Sequence, residues 1–153
     1  EKVERTGKSK IVKIGINYGI SAGNGLSDFC RIVALSAVFA ELLENLGYGV
    51  EIYGASMYEK MKSQKRKKWL GIMFPIKSAT EPLDFDRIYS LGLPGLLRDC
   101  EFRTEQYIFG CHGGRCSSPP QDMLKFADVD VLITKSWTSG NQVEKIIQVI
   151  ENL

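Results

Sequence analysis

The stretch from Ile11 to Tyr53 limits the folds open to this chain. The run Ile11-Val12-Lys13-Ile14-Gly15-Ile16 is rich in β-branched residues, the pattern of a central strand covered on both faces. A glycine-rich loop, Asn17 to Gly25, follows it. From about Ser27 to Leu46, Ile32, Leu35, Val38, Phe39, Leu42, Leu43 and Leu46 recur at helical spacing and predict a wide core-facing stripe. Ser27 or Asp28 is placed to cap that helix, and Gly47 to end it. Gly47 to Gly49 then turn the chain into a second strand, Val50 to Tyr53. This is a βαβ unit. Its loop lies where parallel α/β sheets hold ligands, beyond the carboxyl end of the first strand.

The remaining segments extend the pattern. Met57 to Lys68 reads as a short helix or an exposed loop, and Trp69 to Ile76 has strand character. Thr80 to Asp84 opens a helix whose buried side is Phe85, Ile88, Tyr89 and Leu91. Gly95 to Glu105 reads as a second helical piece, Gln106 to Phe109 as a short strand, and Gly110 to Pro120 as a loop. Gln121 to Ala127 is a short helix, Val129 to Thr134 a strand, and Gln142 to Leu153 an amphipathic closing helix carrying Val143, Ile146, Ile147, Ile150 and Leu153. Strands alternating with helices predict a three-layer α/β/α sandwich on a mostly parallel sheet. At 153 residues the chain fits one domain, residues 10–153, behind a polar flexible lead-in or linker at residues 1–9. It opens on Glu1 rather than Met, as a segment of a longer protein would.

Charge and cysteine usage narrow the classes. A formal net charge of +2 does not by itself imply nucleic acid or a membrane, and no apolar run approaches the roughly 18 residues of a membrane span. No signal peptide opens the chain, so no membrane partner is expected. Four cysteines are too few for a secreted disulfide scaffold, which favours a reducing cytoplasm. Cys30, among apolar residues of the long helix, reads as a small core residue.

Several clusters carry potential chemistry. A glycine-rich turn ahead of a helix can hold an anion on its backbone N–H groups. Yet Asn17 to Gly25 has neither dinucleotide spacing nor a P-loop ending, and no lysine. A nucleotide- or phosphoester-handling enzyme built on that loop is therefore an alternative reading, and no cofactor is expected. Asp84, Asp86, Arg98 and Glu105 form a polar set in which a catalytic carboxylate pair competes with plain helix capping and ion pairing. Cys111, His112 and Cys116 offer three zinc-type ligands, with Cys100 as the nearest fourth, in a segment that otherwise reads as a loop. Lys60, Lys62, Lys65, Arg66, Lys67 and Lys68 could meet a phosphate backbone, with aromatic support limited to Tyr58 and Trp69. A solvated face, or one for an acidic protein, is the plainer reading.

The loop after the first strand resembles the Asp-x-Ser-x-Ser motif of von Willebrand factor type A domains, with Asn17, Gly19 and Ser21 at the matching positions. The resemblance implies a Rossmann-like domain of that shape but not its metal. Mg²⁺ and Ca²⁺ want hard, charged oxygen ligands, Asn17 supplies a neutral carbonyl, and Gly19 has no side chain. The position after a later strand, where such domains place another aspartate, is Thr134-Lys135, and a lysine repels a cation. No metal site is expected. Across most of the chain, Arg31 to Glu51, Pro82-Leu83-Asp84, Pro94 to Arg98, Phe102 and Glu105 resemble an uncharacterised, largely bacteriophage family related to type A domains. That resemblance implies a non-enzymatic module in the host bacterial cytoplasm, binding a host or phage protein through loops at the top of the sheet. The loops are Asn17–Gly25, Gly110–Pro120 and Lys135–Gly140, and the binding residues are Asn17, Gly19, Ser21, Asn24, Ser27, Asp84, Arg98, Thr134 and Lys135. A structural virion component and a nucleic-acid binder are the alternatives.

Overall fold

The β-branched run forms a strand, β1 (Ile11–Asn17), with sheet neighbours on both sides. The computed structural model describes residues 10–18, 26–60, 68–93, 103, 107, 126–134, 137 and 140–153. Within these the other elements are α1 (Leu26–Asn45), β2 (Gly49–Lys60), β3 (Lys68–Lys77), α2 (Phe85–Ser90), β4 (Val131–Ile133) and α3 (Gln142–Asn152). The lead-in, the segments Gly95–Glu105, Gln106–Phe109 and Gly110–Pro120, and the start of Gln121–Ala127 lie outside the described residues, apart from Arg103 and Tyr107.

The sheet runs in the order β3-β2-β1-β4. β1 pairs in parallel with β2, from Ile11↔Gly49 to Asn17↔Ala55, and with β4, from Ile14↔Val131 to Ile16↔Ile133. β2 and β3 are antiparallel. The sheet is thus α/β but mixed, not mostly parallel, because β2 runs on past Tyr53 and returns directly through β3. Met57 to Lys60, read from sequence as helix or loop, is strand. A bulge falls between Ile52 and Tyr53, which pair with Lys77 and Pro75 and leave Ile76 as the extra residue. Pro75 has no N–H to give the ladder, which makes a bulge cheapest here.

One face of the sheet carries the main core. Val12, Ile14 and Ile16 of β1, with Val50 and Ile52 in register on β2, meet Ile32, Val33, Ala37, Phe39, Ala40 and Leu43 of α1. Ile88 and Leu91 beside α2 and Ile146 of α3 join the same cluster, so all three of these helices share one layer. The alternate residues face the other way, where Ala55 packs with Ala127, Val129 and Leu132. There a side chain at Gly71 would collide with the ring of Phe126.

The C-terminus of α1 is closed as its sequence directs. Gly47 takes φ 92°, its N–H donates to the Glu44 carbonyl, and the Tyr48 N–H donates to the Leu43 carbonyl. This pair of bonds is a Schellman motif, which needs a residue free to adopt positive φ. The N-terminus differs: α1 starts at Leu26, so Ser27 and Asp28 sit in the first turn rather than at the cap. The apolar stripe of α1 is also wider than the surface that covers it. Val38, Leu42, Leu46 and Cys30 are exposed, while Ile32, Phe39 and Leu43 are fully buried. Likewise Phe85 and Tyr89 stack on each other at the surface beside buried Ile88, and Val143 and Ile147 are exposed beside buried Ile146.

Candidate functional site

Strand order reverses at β1, with β2 on one side and β4 on the other, and the carboxyl ends of the two parallel neighbours β1 and β4 lie together. Ile16 pairs with Ile133, so the next residues, Asn17 and Thr134, are neighbours where the two strands end. Asn17 is buried and Thr134 partly so. The chain after Asn17 is fastened at once. The Tyr18 N–H donates to the Ala55 carbonyl at 3.1 Å, and the Tyr18 ring packs on Phe74 at a centroid distance of 5.2 Å. Phe74 also covers Gly54, where any side chain would strike its ring. After β4, the Trp137 N–H donates to the Thr134 carbonyl at 2.9 Å, and the indole lies 6.2 Å from Phe39 of α1. Asn141 then caps α3 by accepting from the Glu144 N–H. Both strand ends therefore sit in a packed frame.

The structure treats the other sequence-derived residues differently. Ser27 is exposed in the first turn of α1. Asp84 caps α2, its carboxylate accepting from the Arg87 N–H at 3.1 Å, so its described role is structural. Lys60 and Lys68 are cross-strand partners at the ends of β2 and β3. Gly19, Ser21, Asn24, Arg98 and Lys135 lie outside the described residues, as do Lys62, Lys65, Arg66, Lys67, Cys100, Cys111, His112 and Cys116. Among the described residues no group of three or more His, Cys, Asp or Glu side chains gathers as a metal site. No helix among them is long and apolar enough to cross a membrane.

Three polar arrangements had no clear signal in the sequence. Lys77 reads as a surface residue ending a strand, yet its side chain is only 3% exposed. The bulge breaks the alternation of β3, so Ile76 and Lys77 are buried in succession. The Lys77 ammonium lies 2.7 Å from the Glu44 carboxylate and donates to the carbonyls of Val50 at 2.8 Å and Ser78 at 3.1 Å. On the opposite face, the turn before β4 grips β1. The Lys13 N–H donates to the Asp130 carboxylate at 2.8 Å, the Asp130 N–H returns to the Lys13 carbonyl, and the Lys13 ammonium donates to Asp128 at 3.0 Å. That hydrogen bond to Asp128 holds the Lys13 pKa above its ordinary value. Nearby, the Tyr53 hydroxyl donates to Glu51 at 2.8 Å, which with partial burial raises the phenol above its ordinary value. The third arrangement is Ser56, whose fully buried Oγ has no hydrogen-bond partner among the described residues, one residue past the last β1–β2 pair. A serine in a Gly-Ala-Ser run carries no pattern that would reveal this.

The family described as Domain of unknown function (DUF7192) matches residues 1–153. No curated protein and no solved structure matches the chain.

Proposed function

The chain belongs to the DUF7192 family, and from the frame at the carboxyl end of its sheet we propose that it is a non-enzymatic protein-binding module. The observation that carries this reading is the juxtaposition of Asn17 and Thr134 at the ends of neighbouring parallel strands, where the strand order reverses. Crevices at such points are where α/β sheets receive ligands. The chemistry there is neutral: a buried amide and a hydroxyl, with Lys135 next in sequence. That set offers no charged oxygen to a cation, whereas backbone and amide groups at two anchored strand ends suit a protein surface. A phosphoester-handling site would need a carboxylate beside Asn17 and Ser21, and Asp84 already serves as a helix cap.

The resemblance to von Willebrand factor type A domains extends the proposal to a three-layer α/β/α domain with a dismantled cation site. The resemblance to a largely bacteriophage family supports a further part of the proposal, a phage protein that meets a host or phage protein in the bacterial cytoplasm. Binding through the top loops is tested by capture from infected bacterial lysate, identification of the captured protein, and titration of that purified protein. Lys135→Asp is expected to abolish capture and weaken the purified complex at least tenfold, with the melting transition unchanged. Equal binding by wild type and Lys135→Asp would move the contact surface elsewhere.

A further inference from the structure

The outward face of α1 carries a seam of its own. Ser27, Arg31, Ala34, Val38, Glu41 and Asn45 follow one another at alternating steps of four and three residues. That spacing sets them in a line along one side of a helix, as in the seam of a coiled coil. At about 100° per residue the line lies opposite the core stripe, where Ile32, Ser36, Phe39 and Leu43 are buried. Ala34 is partly buried, and the other members of the line are exposed, Val38 by 55%. Leu42 and Leu46, also exposed, border the line and widen its apolar area.

The order of residues along the seam matches its own reverse. From either end it runs neutral polar residue, charge, small apolar residue, and the two charges are opposite. The midpoint is level with Ser36, with Ala34 and Val38 two residues to either side, Arg31 and Glu41 five, and Ser27 and Asn45 nine. A second α1 crossing antiparallel at that level sets Arg31 against Glu41, Ala34 against Val38 and Ser27 against Asn45, each of them twice. An isologous two-fold interface requires such a match, because the patch meets itself reversed. Along one helix the two charges stand about 15 Å apart, too far to pair with each other. Among the described residues neither Arg31 nor Glu41 is in an ion pair. A helix face kept only for water carries charged and polar residues along its whole length, whereas the centre of this one is apolar.

We infer that α1 is a homodimer interface: a second copy of this chain packs antiparallel on its outward face, centred at Ser36 and held in register by reciprocal Arg31–Glu41 pairs. The apolar contact of Val38 with Ala34 excludes water at the centre, and the small Ala34 side chain lets the two helices approach closely. Exposed ion pairs at the rim add little affinity but penalise every other register and the parallel orientation, which sets Arg31 on Arg31. The interface uses neither Asn17, Thr134 nor Lys135, so it does not rest on the protein-binding reading.

The test is sedimentation equilibrium of the full chain, in which a reversible monomer–dimer equilibrium is expected. Arg31→Glu and Glu41→Arg each place like charges at both crossings, and each is expected to weaken the dimer at least about tenfold. An equimolar mixture of the two variants is expected to dimerise as the wild type does, because every crossing then holds one acid and one base. Damage to the fold of α1 would not be rescued by mixing. Val38→Lys is expected to remain monomeric where the wild type is dimeric, with an unchanged circular dichroism spectrum, and Lys135→Asp to dimerise normally. A wild-type chain that stays monomeric at every accessible concentration would overturn the inference. So would a dimer indifferent to both charge variants, or a mixture that associates no more tightly than either variant alone. A monomeric wild type whose capture of a lysate protein is lost in Val38→Lys would overturn it equally, by giving the face to a different partner.

Discussion

A lysine ammonium removed from water needs three acceptors, and Lys77 has them in Glu44 and the carbonyls of Val50 and Ser78. Those contacts tie the last turns of α1 to the start of β2 and the end of β3. The two partners are not equivalent. Glu44 keeps 25% of its side chain exposed, so without Lys77 it can turn to solvent, whereas Lys77 without Glu44 is a buried charge short of its counterion. Glu44→Ala is therefore expected to cost about 3 kcal/mol, the low end for a broken buried pair, and Lys77→Met only about 1 kcal/mol. Urea unfolding of both variants checks the order, and a larger loss in Lys77→Met would refute the account. Ser56 makes the opposite case. Its buried hydroxyl has no partner among the described residues, and an unpaired buried hydroxyl costs stability, so Ser56→Ala is expected to raise stability by up to about 1 kcal/mol in the same assay. Glu81 sets the acid side. Its carboxylate accepts the Ser78 N–H at 2.8 Å, which holds its pKa below the ordinary value, with a smaller contribution from Arg87. Its stabilising contribution is present above the unfolded-state pKa and fades as pH falls through the lower folded value. An NMR titration is expected to place the Glu81 carboxyl below 4.5, the ordinary value.

At the level of elements, the sequence was most legible where local pattern and partner agree. The βαβ unit, the Gly47 terminus and the closing helix all follow from periodicity and cap chemistry, because α1 and α3 each turn part of an apolar stripe to the core and β1 is paired on both edges. Pattern alone does not say how much of a stripe finds a neighbour, which is why Val38, Leu42 and Leu46 were indistinguishable in sequence from buried Phe39 and Leu43. The length of β2 was hidden for another reason. Gly54-Ala55-Ser56 has little apolar alternation, and its strand state is fixed by β1 on one side and β3 on the other. Gly54 is small so that Phe74 can lie across it, the ring making the contacts the glycine lacks. Candidate sites were less legible still. Asn17 and Thr134 become neighbours only through strand order, a long-range property, and Lys77 becomes buried only through a bulge.

For the whole molecule, topology sets the far end of the β2–β3 pair apart from β1, because β2 pairs with β1 only as far as Ala55 and with β3 as far as Lys60. Closure entropy grows with the length of a connection, so replacing residues 61–67 by Asn-Gly between the paired Lys60 and Lys68 is expected to stabilise the chain by about 1 kcal/mol. The same change removes Lys62, Lys65, Arg66 and Lys67 and takes the formal net charge from +2 to −2. If the basic stretch is an attachment to an otherwise self-sufficient fold, the shortened chain unfolds in one cooperative urea transition with its midpoint at or above that of the full chain. It then also loses retention on a phosphate-bearing cation exchanger, while binding at the chain ends after Asn17 and Thr134 persists. If residues 61–67 instead help to hold the fold, the midpoint falls by more than loop shortening can offset and both kinds of binding fail together. The two outcomes distinguish a domain with two separable surfaces from a single cooperative unit in which the basic segment is structural.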